Sequence, residues 1–254
     1  MNKTQRNEQT LLDHLKTRKA IDLHTAMELL GVSESTARRL FLNLEQSGLC
    51  VRGHGCLRLL DNDLVSIYTY ETADNQGVAP KELIAQKAVQ LIENGDVIYL
   101  DNGTTLARFS SCIADALRSG ALRDLTVFTN SLINLNILKD CAKVHVIGGE
   151  YRDNRKDFCG MIAENAIRSV CYSKCFIGTD GYSRASGFTA TDFQTARLAQ
   201  AAIANSAQRY ILADSEKFRK TAMVCFAADR DISAIVTDQP DELAFLSEKD
   251  IAII

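Results

Sequence analysis

Apolar residues recur at helical spacing through the first sixty positions; from Lys81 onward they gather into short solid runs separated by amphipathic stretches. The first pattern predicts a helix over 4–18, with Leu11, Leu12 and Leu15 inward, then a short extended link at Ile21 and Leu23. Ala26, Met27, Leu29 and Leu30 make the next helix, with Thr25 as its cap. Gly31 follows as a tight turn, because glycine enters left-handed backbone space without steric cost. Val32 plugs the corner, Ser33 stands at the next N-cap, and Glu34 follows at the positive helix end. Ala37, Leu40, Phe41 and Leu44 then recur at i, i+3, i+4, i+7, and Gly48 ends that helix. Its opposite face carries Ser35, Arg38, Arg39 and Leu42. Leu49–Arg52 and Cys56–Leu59 read as strands around a Gly53-His54-Gly55 turn.

In the second pattern Glu82–Glu93 is an amphipathic helix. Apolar strands follow at 97–100, 125–129, 144–147, 174–177, 210–213, 233–236 and 251–254. Helices fill the gaps at about 102–119, 131–140, 160–172, 191–207 and 240–247. Short strands that are apolar on both faces and alternate with helices predict a parallel, helix-covered α/β sheet. Residues 61–80 are polar, with Asp61, Asn62, Asp63, Asp74, Asn75, Gly77 and Pro80, and read as a linker. The expected organisation is a helix-turn-helix domain over 1–60, a linker over 61–80 and an α/β domain over 81–254.

Two short helices joined by a glycine turn suit a DNA major groove about 12 Å wide. Arg38 and Arg39 can grip guanine or phosphate, and the first-turn hydroxyls of Ser33, Ser35 and Thr36 can reach base edges or backbone. A basic hairpin directly after such a helix is the wing of a winged helix, with Arg52 and His54 placed to touch sugar-phosphate. The alternative is an ordinary helical hairpin with a solvated arginine face. Charge favours the first reading: residues 1–58 carry nine Lys and Arg against six Asp and Glu, for +3, while the rest of the chain carries −6.

In open parallel sheets ligands bind just past the carboxyl ends of strands, and here five strands end in glycine, hydroxyl and amide residues. The first ends in Asp101-Asn102-Gly103-Thr104-Thr105, where a helix begins. Free N–H groups, a positive dipole end and two hydroxyls make a phosphate cradle. The others end in Thr129-Asn130-Ser131, Gly148-Gly149-Glu150, Gly178-Thr179-Asp180-Gly181 and Asp214-Ser215-Glu216-Lys217-Phe218, with Lys217 as a mobile cation. Each alone is also an ordinary turn; the succession points to one binding rim. Eight cysteines without a C-x-x-C pair, and no histidine near Cys171 and Cys175, which stand i, i+4 apart, indicate free buried thiols and no metal site or disulfide framework. Met1–Gln9 has no signal-peptide core and no apolar run is long enough to span a bilayer, so a cytoplasmic protein with no membrane partner and no cofactor is expected.

The chain resembles the DeoR family of bacterial sugar-metabolism repressors. The N-terminal signature stands as Val32-Ser33, Thr36, Arg38-Arg39, Leu44-Glu45, Gly48, Arg52 and His54-Gly55. The C-terminal motifs stand as Asp101–Thr105, Thr129–Ser131, Gly148-Gly149, Phe176–Gly181, Gly187-Phe188-Thr189 and Asp214–Phe218. The sequence departs from the family at Leu40, Cys56, Glu216 and Arg219. The resemblance implies a winged helix-turn-helix followed by a Rossmann-like sensor domain of ribose-5-phosphate-isomerase type. It further implies a homo-oligomer whose grip on double-stranded operator DNA falls when a phosphorylated sugar or sugar alcohol enters the sensor pocket. The alternative is a phosphosugar isomerase with an appended DNA module, using Asp101 or Asp180 as base. The relatives that isomerise carry a glutamate near the place of Gln194, and glutamine takes no proton at neutral pH.

Overall fold

The computed structural model describes residues 3–18, 20–46, 50–53, 56–59, 69–247 and 251–254. The chain divides into two compact units, Met1–Ile67 and Tyr68–Ile254.

In the first unit α1 (Lys3–Arg18) leads through β1 (Ala20–Asp22) into α2 (Leu23–Leu30) and α3 (Glu34–Gln46), then into β2 (Cys50–Gly53) and β3 (Cys56–Leu59). The strands form an antiparallel sheet in the order β1-β3-β2, with Ile21 opposite Leu57 and Gly53 opposite Cys56. Leu11, Leu15, Ile21, Ala26, Leu40, Phe41, Leu44, Cys50 and Leu57 make one buried core between helices and sheet. This is a winged helix-turn-helix. Leu40 is a core residue here, 1% exposed.

The entry to α2 differs from the expected one. Its cap is Asp22, not Thr25: the Asp22 carboxylate accepts the Thr25 amide at 2.9 Å and the Thr25 hydroxyl at 2.7 Å. An ionised carboxylate is the stronger acceptor, so the threonine becomes a donor and Leu23 joins the helix. Gly31 ends α2 at φ +59, as expected. His54, Gly48 and Leu49 lie outside the described residues.

The second unit opens with α4 (Tyr70–Asp74) and α5 (Val78–Ala88). Residues 70–80, read as linker from their composition, are therefore mostly helical, and Pro80 sits in the first turn of α5, where its missing N–H costs nothing. Then come β4 (Val97–Leu100), α6 (Thr104–Arg118), β5 (Thr126–Thr129), α7 (Leu132–Leu138), β6 (Lys143–Val146), β7 (Glu150–Arg152), β8 (Asp157–Cys159), α8 (Met161–Arg168), β9 (Tyr172–Ile177), β10 (Gly181–Ser183) and β11 (Gly187–Ala190). The chain continues through α9 (Phe193–Ala204), β12 (Ser206–Leu212), β13 (Val224–Ala227), β14 (Ala234–Val236), α10 (Ala244–Ser247) and β15 (Ala252–Ile253). Among the described residues no helix is long and apolar enough to cross a membrane.

Seven of these strands form one parallel sheet, in the order β15-β14-β12-β9-β4-β5-β6. Successive strand side chains point to opposite faces. Ile98, Leu100, Phe176 and Leu212 therefore pack with Ile84 of α5 and Leu106, Phe109 and Ile113 of α6. Tyr99, Cys175, Ile177 and Ile211 pack on the other face with Ala163 and Ile167 of α8 and Ala199 and Ala202 of α9. From β4 the chain builds β5 and β6 on one side, then crosses back to lay β9 on the other. The strand order thus reverses between β4 and β9.

Two antiparallel elements were not expected: the hairpin β7–β8 and the small sheet β10-β11-β13. Their strands are three or four residues long, too short for an apolar alternation to mark them, and β13 reaches β11 only across α9 and β12.

Candidate functional site

A cleft of about 480 Å³ opens at the strand-order reversal, above the carboxyl ends of β4, β9, β12 and β14. Such a reversal leaves a crevice because the loops leaving neighbouring strands diverge to opposite faces. Asp101 ties the two central strands together: its amide donates to the Phe176 carbonyl at 3.0 Å, and its carboxylate accepts the Gly178 amide at 3.3 Å. Gly103 then turns the chain at φ +126, a conformation suited to glycine. α6 starts at Thr104 without a side-chain cap. Its first N–H groups and dipole thus stand at the cleft with the hydroxyls of Thr104 and Thr105.

Four cations line the same space: Lys81, Arg155, Lys217 and Lys220. Only Lys217 was expected. Lys81 comes from α5 and is 6% exposed; its ammonium donates to the Ala73 carbonyl at 2.6 Å and the Gln76 carbonyl at 2.5 Å. Burial, and then the neighbouring Lys217 ammonium, hold both Lys81 and Lys220 below the ordinary lysine range. Mutual repulsion of this kind is relieved by an anion. Arg155 reaches the turn from the loop between β7 and β8, with Asp192 at 3.3 Å, Asp180 at 3.8 Å and the Thr191 hydroxyl beside it. Lys81, Arg155 and the Lys217–Lys220 segment stand far apart in sequence, so only the fold brings them together.

Of the expected rim, Asp101, Asn102, Gly103, Thr104, Thr105, Asp180 and Lys217 line the cleft, and Thr129, Asn130, Ser131, Gly148 and Gly149 do not. The hairpin β7–β8 covers the end of β5. The Phe158 amide donates to the Asn130 carbonyl at 2.9 Å, and the Leu132 amide to the Lys156 carbonyl at 2.9 Å. Beneath it Asn130 accepts the Tyr99 hydroxyl at 3.1 Å, Thr129 accepts the Ser131 amide at 3.1 Å, and Ser131 caps α7. Gly149 serves packing: a Cβ there would stand 2.3 Å from the Cys159 carbonyl oxygen. The polar groups of this part of the rim are spent on one another.

Burial raises the Asp101 carboxyl to about 7, against opposing hydrogen bonds from the Asn102 and Gly178 amides. A carboxyl whose pKa is higher in the folded than in the unfolded chain stabilises below the unfolded value, and that stabilisation is lost as pH rises through the folded value. Stability should therefore fall between about pH 4 and pH 7 through this group. Asp101→Asn should flatten that slope in urea titrations across the interval. An unchanged slope would show that Asp101 ionises as in water.

In the first unit the exposed face of α3 carries Ser35, Arg38, Arg39 and Leu42. The Ser33 hydroxyl lies 3.1 Å from those of Ser35 and Thr36. Arg38 is held by Glu34 one turn earlier at 2.7 Å, with both side chains more than half exposed. Arg52 stands in β2 opposite Leu57; His54 is outside the described residues. Among the described residues no group of histidine, cysteine and carboxylate side chains could hold a metal ion, and all eight cysteines are free.

Two family models match the chain: a DeoR-like helix-turn-helix domain over residues 7–63 and the DeoR C-terminal sensor domain over residues 76–239. The chain belongs to the DeoR family. Among DeoR-type relatives, an uncharacterized HTH-type transcriptional regulator, FruR, of Bacillus subtilis is 30% identical over 95% of this chain and 94% of its own length. The lactose phosphotransferase system repressor of Streptococcus mutans is 30% identical over 90% of this chain and 89% of its own. That of Staphylococcus epidermidis is 29% identical over 88% of each. Among solved structures, ribose 5-phosphate isomerase from Plasmodium falciparum aligns with TM-score 0.42 and 18% identity, over 56% of this chain and 52% of that one. The isomerase from Methanocaldococcus jannaschii aligns with TM-score 0.41 and 16% identity, over 54% and 53%.

Proposed function

We propose that this DeoR-family regulator represses a carbohydrate-utilisation operon and is released from its operator by a phosphorylated sugar or sugar alcohol bound in the second unit. The observation that carries the effector class is that Lys81, Lys217, Lys220 and Arg155 line one cleft together with the uncapped N-terminus of α6. Anions are stabilised there by dipole, amides and charge together. Asp101, Asn102 and Asp180 along the same wall supply partners for sugar hydroxyls, and the volume suits a small metabolite. The lactose-system repressors among the relatives support the carbohydrate assignment. In the first unit α3 enters the major groove with Ser33, Ser35, Thr36, Arg38 and Arg39, while Arg52 and His54 meet the backbone from the wing. One such module binds weakly, so two or more copies of the chain act together in the cytoplasm on repeated half-sites.

A second reading, catalytic isomerisation, is favoured by the Asp101 pKa of about 7, which suits a general base. Against it, Asp180 is engaged by the Thr191 amide and hydroxyl, each at 2.9 Å. Gln194 lies outside the cleft, where the Cys159 thiol donates to it at 2.7 Å.

Thermal denaturation of the full chain against phosphorylated pentoses, hexoses and polyols tests the proposal. A ligand at a hundredfold excess over its Kd stabilises by about 2.7 kcal/mol, or about 5–10 °C for a domain of this size. Thr104→Glu, which places its own carboxylate at the anion position, should abolish the shift. The same ligand should lower operator affinity. Binding without effect on DNA would overturn the inducer role, and turnover of any panel member would establish the isomerase.

A further inference from the structure

The first described element after the junction between the two units is α4, and it is fastened in three directions. At its C-terminal end the Lys81 ammonium holds the carbonyls of Ala73 and Gln76. On its flank Asp74 pairs with Arg108 of α6 at 3.0 Å, one helical turn beyond Thr104. At its start the Tyr70 amide donates to the Asn154 carbonyl at 2.8 Å, and Glu71 meets Lys156 at 3.3 Å. Every one of these ties leads to the cleft: Lys81 lines it, α6 begins in it, and Arg155, between Asn154 and Lys156, lines it as well.

We propose that α4 is the element through which occupancy of the cleft leaves the second unit, with Lys81 as the residue that joins anion to helix. This rests on the reading of the cleft as an anion site. A lysine ammonium has three protons. Two are committed, one to Ala73 in α4 and one to Gln76 in the turn that follows it, which leaves one for a phosphate oxygen at the α6 N-terminus. An ammonium shared in this way fixes the end of α4 to the bound anion. The same anion orders the first turn of α6 and, through Arg155, the turn that carries Asn154. Binding therefore tightens all three fastenings at once, and the stretch of chain that enters the first unit emerges from a pinned helix instead of a loosely held one. A ligand acts on a distant site only through a difference in free energy between two states. Here the difference is whether α4 is docked or frayed. Without this coupling Lys81 is a helix cap that happens to border a cleft, and α4 is indifferent to what the cleft holds.

Hydrogen exchange on the full chain decides between the two, with millimolar inorganic phosphate as probe against chloride at matched ionic strength. Phosphate should slow exchange in the first turn of α6 and, by about three- to tenfold, in residues 69–77, the factor one hydrogen bond supplies. Slowing at α6 with residues 69–77 unchanged in the unmodified protein would overturn the relay while leaving the anion site standing. Slowing at neither segment would remove the anion site, and the relay with it. Lys81→Met, brought to saturation at higher phosphate, should keep the α6 effect and lose most of that at 69–77; retention of both in full would assign the relay to Arg108 and the Asn154 turn and refute the role of Lys81.

Discussion

Asp157→Ala is expected to cost the second unit about 3–5 kcal/mol, the penalty for stranding one partner of a buried ion pair. Asp157 is fully buried; both its oxygens are taken by the Arg152 fork, at 2.8 and 2.6 Å, and the Asn102 amide also donates to it. Removal leaves a guanidinium, 16% exposed, with Asp192 and Thr195 as its remaining partners among the described residues. It also frees the residue that precedes the Gly103 turn. A domain is typically stable by about 5–15 kcal/mol, so equilibrium denaturation should show a large fall in midpoint and a weakened cleft. Asp153→Ala supplies the contrast: that carboxylate is 82% exposed and pairs with Lys156 on the surface, where a pair contributes about 0–1 kcal/mol. Equal losses for the two variants would mean that Asp192 and Thr195 suffice for Arg152.

The double substitution Arg38→Ala, Arg39→Ala should weaken binding to a duplex selected by the unmodified protein by about 100-fold or more. Each good arginine contact to a base edge is worth about 1–3 kcal/mol, and the loss of phosphate contacts should also make log affinity less steep in log salt. The Arg38–Glu34 pair does not stand in the way. An exposed i, i+4 pair stabilises by about 0.3–0.5 kcal/mol, less than either contact it competes with, so Glu34→Gln should leave affinity unchanged or slightly tighter. Full affinity in the double variant would remove α3 from the interface.

Much of the architecture is legible from periodicity alone. The inner strands β4 and β14 and the carboxyl halves of β9 and β12 announce themselves as apolar runs, since helices cover the sheet on both faces and no polar alternation is left there, whereas the edge strand β6 is largely exposed. The errors have particular causes. Asp22 and Thr25 both carry capping chemistry, and only the backbone shows which accepts and which donates. Residues 70–80 are polar because α4 and the start of α5 are largely exposed on the unit's surface, a composition that a short surface helix shares with a linker. Asn130 and Thr129 look like ligand groups because a buried polar network and a binding rim use the same donors and acceptors.

By itself the sequence determined the order of the strands of the main sheet and of the helices between them, the helix-turn-helix with its arginine pair, and the glycine-threonine turn after β4. Those depend on spacing along the chain, and spacing is what local backbone geometry reads. The tertiary structure alone decided which strand ends share a cavity. Strand order reverses between β4 and β9, so the loops there part and leave space, whereas the β7–β8 hairpin closes over the end of β5. It also decided the charge of the cavity: Lys81, Arg155 and Lys220 come from segments with no sequence proximity, and cations so separated meet only because packing on both faces of one sheet brings their backbones to the same rim.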